Sequence, residues 1–272
     1  MQISCTDAMV PGTTYTQKAA NLAKWGYDSI AVFADRAAWS DKLFNELQGL
    51  EKNTGVKVCE FVFTGDIYGH LMDKKNGTYK KARAMYKETL DVCKALGAVT
   101  EMEFEYCIQD PMPLFSPYAQ MGKELEEEFL GVIKELSQGI ENTNANLLIE
   151  PINRYESRYL NMLQDCKKII QKFDNPNLGL LPDFFHMSIE EIDLPASIKN
   201  AGTLIKHVHL GDSNRLLPGY GRTDWATSIK ALHEAGFTGT MNLECGVPGE
   251  PEVLLPITAQ YLKKLIMTVE GE

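Results

Sequence analysis

Short apolar runs alternate with longer amphipathic stretches along the whole chain. Runs suited to buried strands fall at about residues 2–5, 28–33, 57–63, 99–106, 146–151, 178–183, 204–210 and 240–244. Helical patterns lie between them. Ala82, Met85, Tyr86, Cys93 and Leu96 share one helical face, and Leu125, Phe129, Val132 and Leu136 share another. Trp225, Ile229 and Leu232 mark a shorter helix, and a last one runs from about Glu252 to Met267. A unit recurs in "LAKWGYDSIAVF", "CKALGAVTEMEF" and "LHEAGFTGTMNLE": a helix end, a glycine, then a strand. Gly26, Gly97 and Gly236 suit the position just past a helix, where a left-handed conformation costs glycine little. Such repetition predicts strands alternating with helices and a mainly parallel sheet. Eight units in 272 residues predict an α/β fold, a single (β/α)8 TIM barrel over residues 1–272. An open doubly wound sheet is the alternative, but no GxGxxG follows the first strand. The longest irregular stretches, 64–77 and 107–120, each follow a strand, which in a barrel puts them on the C-terminal face where active-site lids are built.

The later strands end in a pattern. "NLLIEP" delivers Glu150, "LGLLPD" Asp183, "IKHVHL" His209 and "TMNLE" Glu244. One acid at a strand end is ordinarily a solvated cap, and one histidine in an apolar strand is ordinarily a satisfied core residue. Four in register are a different matter, because three carboxylates buried together without a cation are costly. Metal binding is the reading these positions favour. Three carboxylates and an imidazole suit Mn²⁺, Mg²⁺ or Co²⁺ and do not exclude Zn²⁺. His207 shares the parity of His209 and should lie one layer deeper, supporting it or packing in the core. Glu156, His186 and Arg215 sit in loops just past ligand-bearing strands, within reach of a substrate; simple loop polarity is the competing explanation. "TEMEFEY" puts Glu101, Glu103 and Glu105 on one side of the fourth strand. They face a wet barrel layer, or Glu101 and Glu105 are end positions. Glu105, nearest the C-terminal end, is expected to reach the substrate.

Composition narrows the partners. Asp and Glu outnumber Lys and Arg 37 to 27, for a net charge of −10, so nucleic acid and anionic membranes are poor partners. Six scattered cysteines without a CxxC pair read as free buried thiols in a reducing cytoplasm. "MQISCTDAMVPG" lacks the basic start and apolar stretch of a signal peptide. A cytoplasmic enzyme is expected.

"LLIEPINRYE", "LLPDFFHMSIEE", "HVHLGDSNRLLPGYGRTDW" and "MNLE" together resemble the sugar isomerase/epimerase barrels similar to xylose isomerase. Within them they most resemble ketose 3-epimerases of the tagatose/psicose type and hydroxypyruvate isomerase-like enzymes. The likeness covers about Leu147 to Glu244. It implies one divalent metal, most often Mn²⁺, held by Glu150, Asp183, His209 and Glu244, and substrate contacts from Glu156, His186 and Arg215. It also implies that Glu150 and Glu244 form the acid/base pair, moving a proton beside a carbonyl through an enediolate. The first half departs from this pattern. A second-strand glutamate expected near Ala31 is missing, and a Trp-containing segment after strand four is replaced by "EYCIQDPMPLF". A related branch, the catalytic subunit of C-glycoside deglycosidases, uses the same deprotonation for β-elimination from a 3-oxo-glycoside. The 107–120 loop would suit its aromatic aglycone or a small partner subunit. Barrels of this class commonly form dimers or tetramers, so a homo-oligomer is expected on the resemblance alone. Endonuclease IV shares the barrel, but five histidines and the acidic charge argue against it. A non-catalytic sugar-binding barrel is the remaining alternative.

Overall fold

In the computed structural model, which describes residues 1–115 and 119–271, all eight expected strands are present. They are β1 (Gln2–Thr6), β2 (Ser29–Asp35), β3 (Lys57–Thr64), β4 (Val99–Met102), β5 (Asn146–Ile149), β6 (Leu178–Leu180), β7 (His207–Leu210) and β8 (Thr240–Leu243). They pair in parallel in the order β6-β5-β4-β3-β2-β1-β8-β7. The bridges Leu180↔Ile205 and Asp183↔His209 join the two ends of that order. The result is a (β/α)8 TIM barrel.

The connecting helices are α1 (Tyr15–Trp25), α2 (Asp41–Gln48), α3 (Leu50–Thr54), α4 (Tyr79–Leu96), α5 (Lys123–Ser137), α6 (Leu163–Ile170), α7 (Phe184–Glu190), α8 (Leu194–Ala201), α9 (Trp225–Glu234) and α10 (Pro251–Glu270). The helical faces read from the sequence are the faces that pack inward. Ala82, Met85, Tyr86 and Cys93 of α4, Phe129, Val132 and Leu136 of α5, and Trp225, Ile229 and Leu232 of α9 are all buried. Gly26 and Gly97 close α1 and α4 at φ 89° and 69°, a conformation open to glycine without strain. No helix among the described residues is long and apolar enough to cross a membrane.

Several strands are shorter than their apolar runs. β4 stops at Met102 instead of 106, and β5 and β6 stop at Ile149 and Leu180. Pro151 and Pro182 lack the N–H that would continue those ladders. Glu150, Asp183 and Glu244 therefore sit just beyond the strands, on the first residues of the loops. The chain there is still tied down: Glu150 N–H donates to Met102 O (3.1 Å), His209 N–H to Pro182 O (3.0 Å) and Glu244 N–H to Leu210 O (3.3 Å). Beyond Met102 the expected alternation holds only briefly. Phe104 packs outward on Phe129 and Tyr159, with ring centroids 5.3 and 5.1 Å away. Glu101 and Glu103 are buried and bonded to tyrosines instead of facing a wet layer. The thiols also differ from expectation in part: four are buried, but Cys107 is exposed and Cys245 half-buried.

The loop between β7 and α9 is organised by one buried side chain. Asp212 accepts from the N–H groups of Ser213 (2.7 Å), Thr223 (3.1 Å) and Gly219 (2.8 Å) and from Trp225 Nε1 (2.9 Å). Burial would raise its pKa, but these donors outweigh it and hold the carboxyl well below the usual range. A Cβ on Gly221 would meet Asp212 Oδ1 at 2.2 Å, so the cradle closes only around glycine. Asp212→Asn turns an amide N–H₂ toward donors and removes the charge, and should cost about 2–3 kcal/mol in urea unfolding at pH 7. A depressed carboxyl contributes its stability above about pH 4 and loses it as pH falls through the folded value. The wild-type advantage should therefore be level from about pH 5 to 8 and shrink in acid; an unchanged unfolding midpoint at pH 7 would show that the loop is held by something else.

Candidate active site

The four strand-end residues converge at the C-terminal mouth of the barrel, around the imidazole of His209. Its Nδ1 lies 2.6 Å from Glu244 Oε2, 3.4 Å from Glu150 Oε1 and 3.9 Å from Asp183 Oδ2. The ring is fully buried, as are Asp183 and nearly all of Glu150, while the Glu244 side chain keeps 27% of its surface exposed. Neither His209 Nδ1 nor Asp183 Oδ2 has a hydrogen-bond partner. The close approach of Glu244 lies off the hydrogen-bonding direction. Buried polar atoms are ordinarily paired. Lone pairs that face one another unpaired are the arrangement a cation satisfies.

Local structure aims these groups. Asp183 is the N-cap of α7, and its Oδ1 accepts from His186 N–H at 3.0 Å. The cap fixes the carboxylate so that the other oxygen points at the centre. The electrostatics differ across the set. Burial, with Asp183 and Glu244 alongside, pushes the Glu150 carboxyl well up against the pull of His209. Burial would also raise Glu244, but His209 and Arg215 outweigh it and hold its pKa down. Burial alone would lower His209; the carboxylates of Glu60, Glu244 and Glu150 reverse this and hold its pKa well above its usual value. Two carboxyls driven in opposite directions are what acid/base work uses.

His186, Glu156 and Arg215 form a second group beside the first. Asn153 joins two of them: its Nδ2 reaches His186 Nδ1 at 2.7 Å and donates to Glu156 Oε1 at 2.9 Å. With its N–H also donating to His186 Nδ1 at 3.3 Å, Nδ1 is an acceptor and the ring proton sits on Nε2. Burial lowers the His186 pKa, which keeps that ring neutral. Arg215 has left-handed backbone, φ 58°. Its guanidinium lies 4.7 Å over the Phe185 ring, and its Nη1 is 3.5 Å from Glu156 Oε2. Tyr106, from the loop after β4, stands beside this group: burial pushes its pKa up, and Arg215 is close enough to pull against that larger push.

Glu105 is not brought into either group. The strand that was to carry it ends three residues earlier, and its Oε1 accepts from Arg158 N–H (2.7 Å) and Gln109 Nε2 (3.2 Å). It ties the β4 loop to the β5 loop at the rim. That loop exposes Ile108, Met112, Leu114 and Phe115; the rest of the expected 107–120 lid includes residues 116–118, outside the described residues. Two glutamates that the strand-end argument passed over are present instead. Glu101 Oε2 is 3.8 Å from His209 Nε2, and its other oxygen shares the Tyr68 hydroxyl with Glu103. Glu60, fully buried on β3, places both oxygens 3.0 and 3.1 Å from His209 Nε2. Its register partner on β2 is Ala31, the position where the resemblance implies a glutamate. The only sequence signal for Glu60 was a lone charge inside "KVCEFVF". Among the described residues, three groups could hold a metal ion: Glu101, Glu150, His209 and Glu244; Glu150, Asp183 and His186; and Glu60, His207 and His209.

Comparison with known proteins agrees with this geometry. The chain is 26% identical over 237 residues to D-psicose 3-epimerase of Ruminiclostridium cellulolyticum, covering 82% of this chain and 75% of that one. It is 28% identical over 139 residues to 3-dehydro-D-guloside 4-epimerase of Escherichia coli, covering 51% and 52%. Other curated matches cover from 37% to 75% of the relative's length. The crystal structure of 3-keto-D-glucoside 4-epimerase YcjR from E. coli superposes with a TM-score of 0.83 at 20% identity, over 97% of this chain and 99% of that one. These relatives are sugar epimerases, as the motifs of the second half implied. The family described as xylose isomerase-like TIM barrel matches residues 19–265, nearly the whole barrel and every residue of the two groups around His209 and His186, and the chain belongs to that family.

Proposed function

We propose that this protein is a divalent-metal-dependent sugar epimerase that inverts a carbon next to a carbonyl, with Glu150 and Glu244 as its acid/base pair. The observation that carries the reading is the unpaired focus of His209 Nδ1 and Asp183 Oδ2, flanked by the Glu150 and Glu244 carboxylates. Glu150, Asp183, His209 and Glu244 are the residues to hold the ion, Mn²⁺ first, with Mg²⁺, Co²⁺ or Zn²⁺ compatible with the same donors. Bound there, a divalent ion polarises a carbonyl and makes the adjacent carbon acidic.

The chain's own groups do the rest. Glu150 and Glu244 come from β5 and β8, on either side of the β6–β7 pair. From there one removes the proton from one face and the other returns a proton to the opposite face. His186, with a proton on Nε2, and Arg215 and Glu156 are placed to bind the hydroxyls of a small sugar. The D-psicose 3-epimerase likeness favours a free ketose. A 3-oxo-glycoside is the second reading, favoured by the 3-dehydro-D-guloside 4-epimerase likeness and by the exposed apolar side chains of the β4 loop. With that substrate the same deprotonation leads to epimerisation, or to elimination of an aglycone.

Metal analysis of the purified protein should return about one divalent ion per chain, and chelation should abolish turnover; a metal-free active enzyme would sink the proposal. Because the bound ion displaces the proton that the surrounding carboxylates hold on His209, apparent affinity should fall with falling pH, by about tenfold per unit where one proton is released. A ketose panel in D₂O, read by NMR, should show deuterium at the inverted carbon; a 3-oxo-glycoside panel separates the second reading. Glu150→Gln and Glu244→Gln should each lower kcat by about 10²–10⁴-fold in protein that still carries metal, and full activity in either would remove it from the pair.

A further inference from the structure

We infer that Glu60 is a positioning residue of this site: it fixes the orientation and tautomer of His209 from below, so that Nδ1 presents its lone pair to Glu150, Asp183 and Glu244. The inference rests on the metal-binding reading above and assigns a part of it to a residue outside the strand-end set.

The geometry is specific. Glu60 is fully buried, and both its oxygens lie at hydrogen-bond distance from His209 Nε2, 3.0 and 3.1 Å. Nε2 is the far side of the ring from the three carboxylates that approach Nδ1. A carboxylate accepts and does not donate, so the proton shared with Glu60 belongs to Nε2. Once the ring is neutral, as a histidine that binds a metal must be, this is its one proton and Nδ1 is bare. Glu101 Oε2, the other acid near Nε2, is farther off at 3.8 Å and does not replace Glu60.

The backbone is shaped to make this contact. On β3, Val58 and Glu60 pair with the adjacent residues Ile30 and Ala31 of β2, so Cys59 is an extra residue and the register shifts there. A bulge changes where the side chains after it point, and bulges recur beside active sites for that reason. Ala31 is fully buried and its side chain is a single methyl, which leaves room beside Glu60. His207 completes the support: its Nε2 is 3.4 Å from Glu60 Oε2, and its ring stands nearly perpendicular to His209, with centroids 5.6 Å apart. Carboxylates that hold the second nitrogen of a metal-binding histidine set its tautomer and strengthen it as a donor.

The test uses the full chain with Zn²⁺ and Mn²⁺ alone as probes. Glu60→Gln keeps the shape and one acceptor but loses the charge, and should weaken both ions by about 10–100-fold in competition with a chelator. Glu60→Asp, which keeps the charge, should recover part of that loss. Unchanged affinity in Glu60→Gln, whatever happens to its stability, overturns the inference. Wild-type protein with ¹⁵N-histidine and bound Zn²⁺ gives a reading that needs no variant; with five histidines in the chain, His209 can be assigned. A protonated Nε2 with Nδ1 on the ion supports the inference, and the reverse tautomer overturns it even if the variants fail to fold. Two ions per chain, the second lost in Glu60→Gln, would overturn it in favour of an ion between Glu60, His207 and His209. Wild-type protein that takes up no divalent ion removes the metal reading and this inference together, an outcome distinct from failure of Glu60 alone.

Discussion

The interior of this barrel is governed by a crowd of acids around one imidazole. Glu60, Glu101, Glu150 and Asp183 are buried, Glu244 is half-buried, and all of them come within 4 Å of His209. Burying one unpaired carboxylate costs several kcal/mol even after the protein relaxes, so an arrangement of this kind survives only where each oxygen has something to meet. Most do. Tyr68 serves Glu101 and Glu103, and Tyr86 adds a 3.0 Å bond to Glu103. Glu60 meets two histidines, and one oxygen of Asp183 caps a helix. Within this cluster the atoms left without a partner are His209 Nδ1, Asp183 Oδ2, Glu101 Oε2 and His207 Nε2, and all four lie on or beside the two neighbouring histidines.

That distribution explains which parts of the site were legible in the sequence. A parallel barrel buries both faces of its strands, so the strands read as apolar runs and an acid at a run's end stands out. Glu150, Asp183, His209 and Glu244 were visible for that reason. Proline made them more visible, because "IEP" and "LPD" mark the residue where the ladder stops. Glu60 was not visible by this logic. It lies in the middle of a strand, and the bulge at Cys59 breaks the alternation that would have assigned its face. Asn153 was hidden differently: it is one polar residue in a polar loop, and only the folded chain shows that it joins His186 to Glu156. Glu105 is the opposite case. Alternation continued past the true end of β4 put it at the mouth, whereas the chain leaves the strand at Met102 and the carboxylate becomes a brace between loops.

The two halves of the barrel do different work. The second half supplies Glu150, Asp183, His209 and Glu244 and the groups beside them, on loops that are pinned by caps and buried acids. Asp212 holds the β7–α9 loop with four bonds, and the Arg154–Glu190 pair fastens the β5 loop to α7. Motifs of this kind carry what is common to the family, and the proposed ion would constrain their spacing. The first half supplies the opposite wall, and its β3 and β4 loops pack on one another as well as on the β5 loop. Gly69, at φ 76°, lies so close to Tyr106 that an added Cβ would stand 2.7 Å from it. The Tyr68 and Tyr106 rings are 5.8 Å apart.

The segment around Tyr106 is where the halves meet: Cys107 N–H donates to Glu156 O and Gln109 N–H to Tyr155 O, both at 2.8 Å, and Glu105 accepts from Arg158 N–H at 2.7 Å. Tyr106 itself is held by the Gly69 turn beneath it, where its N–H donates to Gly69 O at 3.3 Å. On the proposed reaction, selection among sugars would fall to the first-half loops that carry Tyr106, and proton transfer to the second-half strand ends. A site of the proposed kind could serve a ketose or a 3-oxo-glycoside through changes at positions 106–115, with Glu150, Asp183, His209 and Glu244 untouched. The motifs that resemble the epimerases thus lie in one half of the barrel and the departures from their pattern in the other, which is where the proposed choice of sugar would be made.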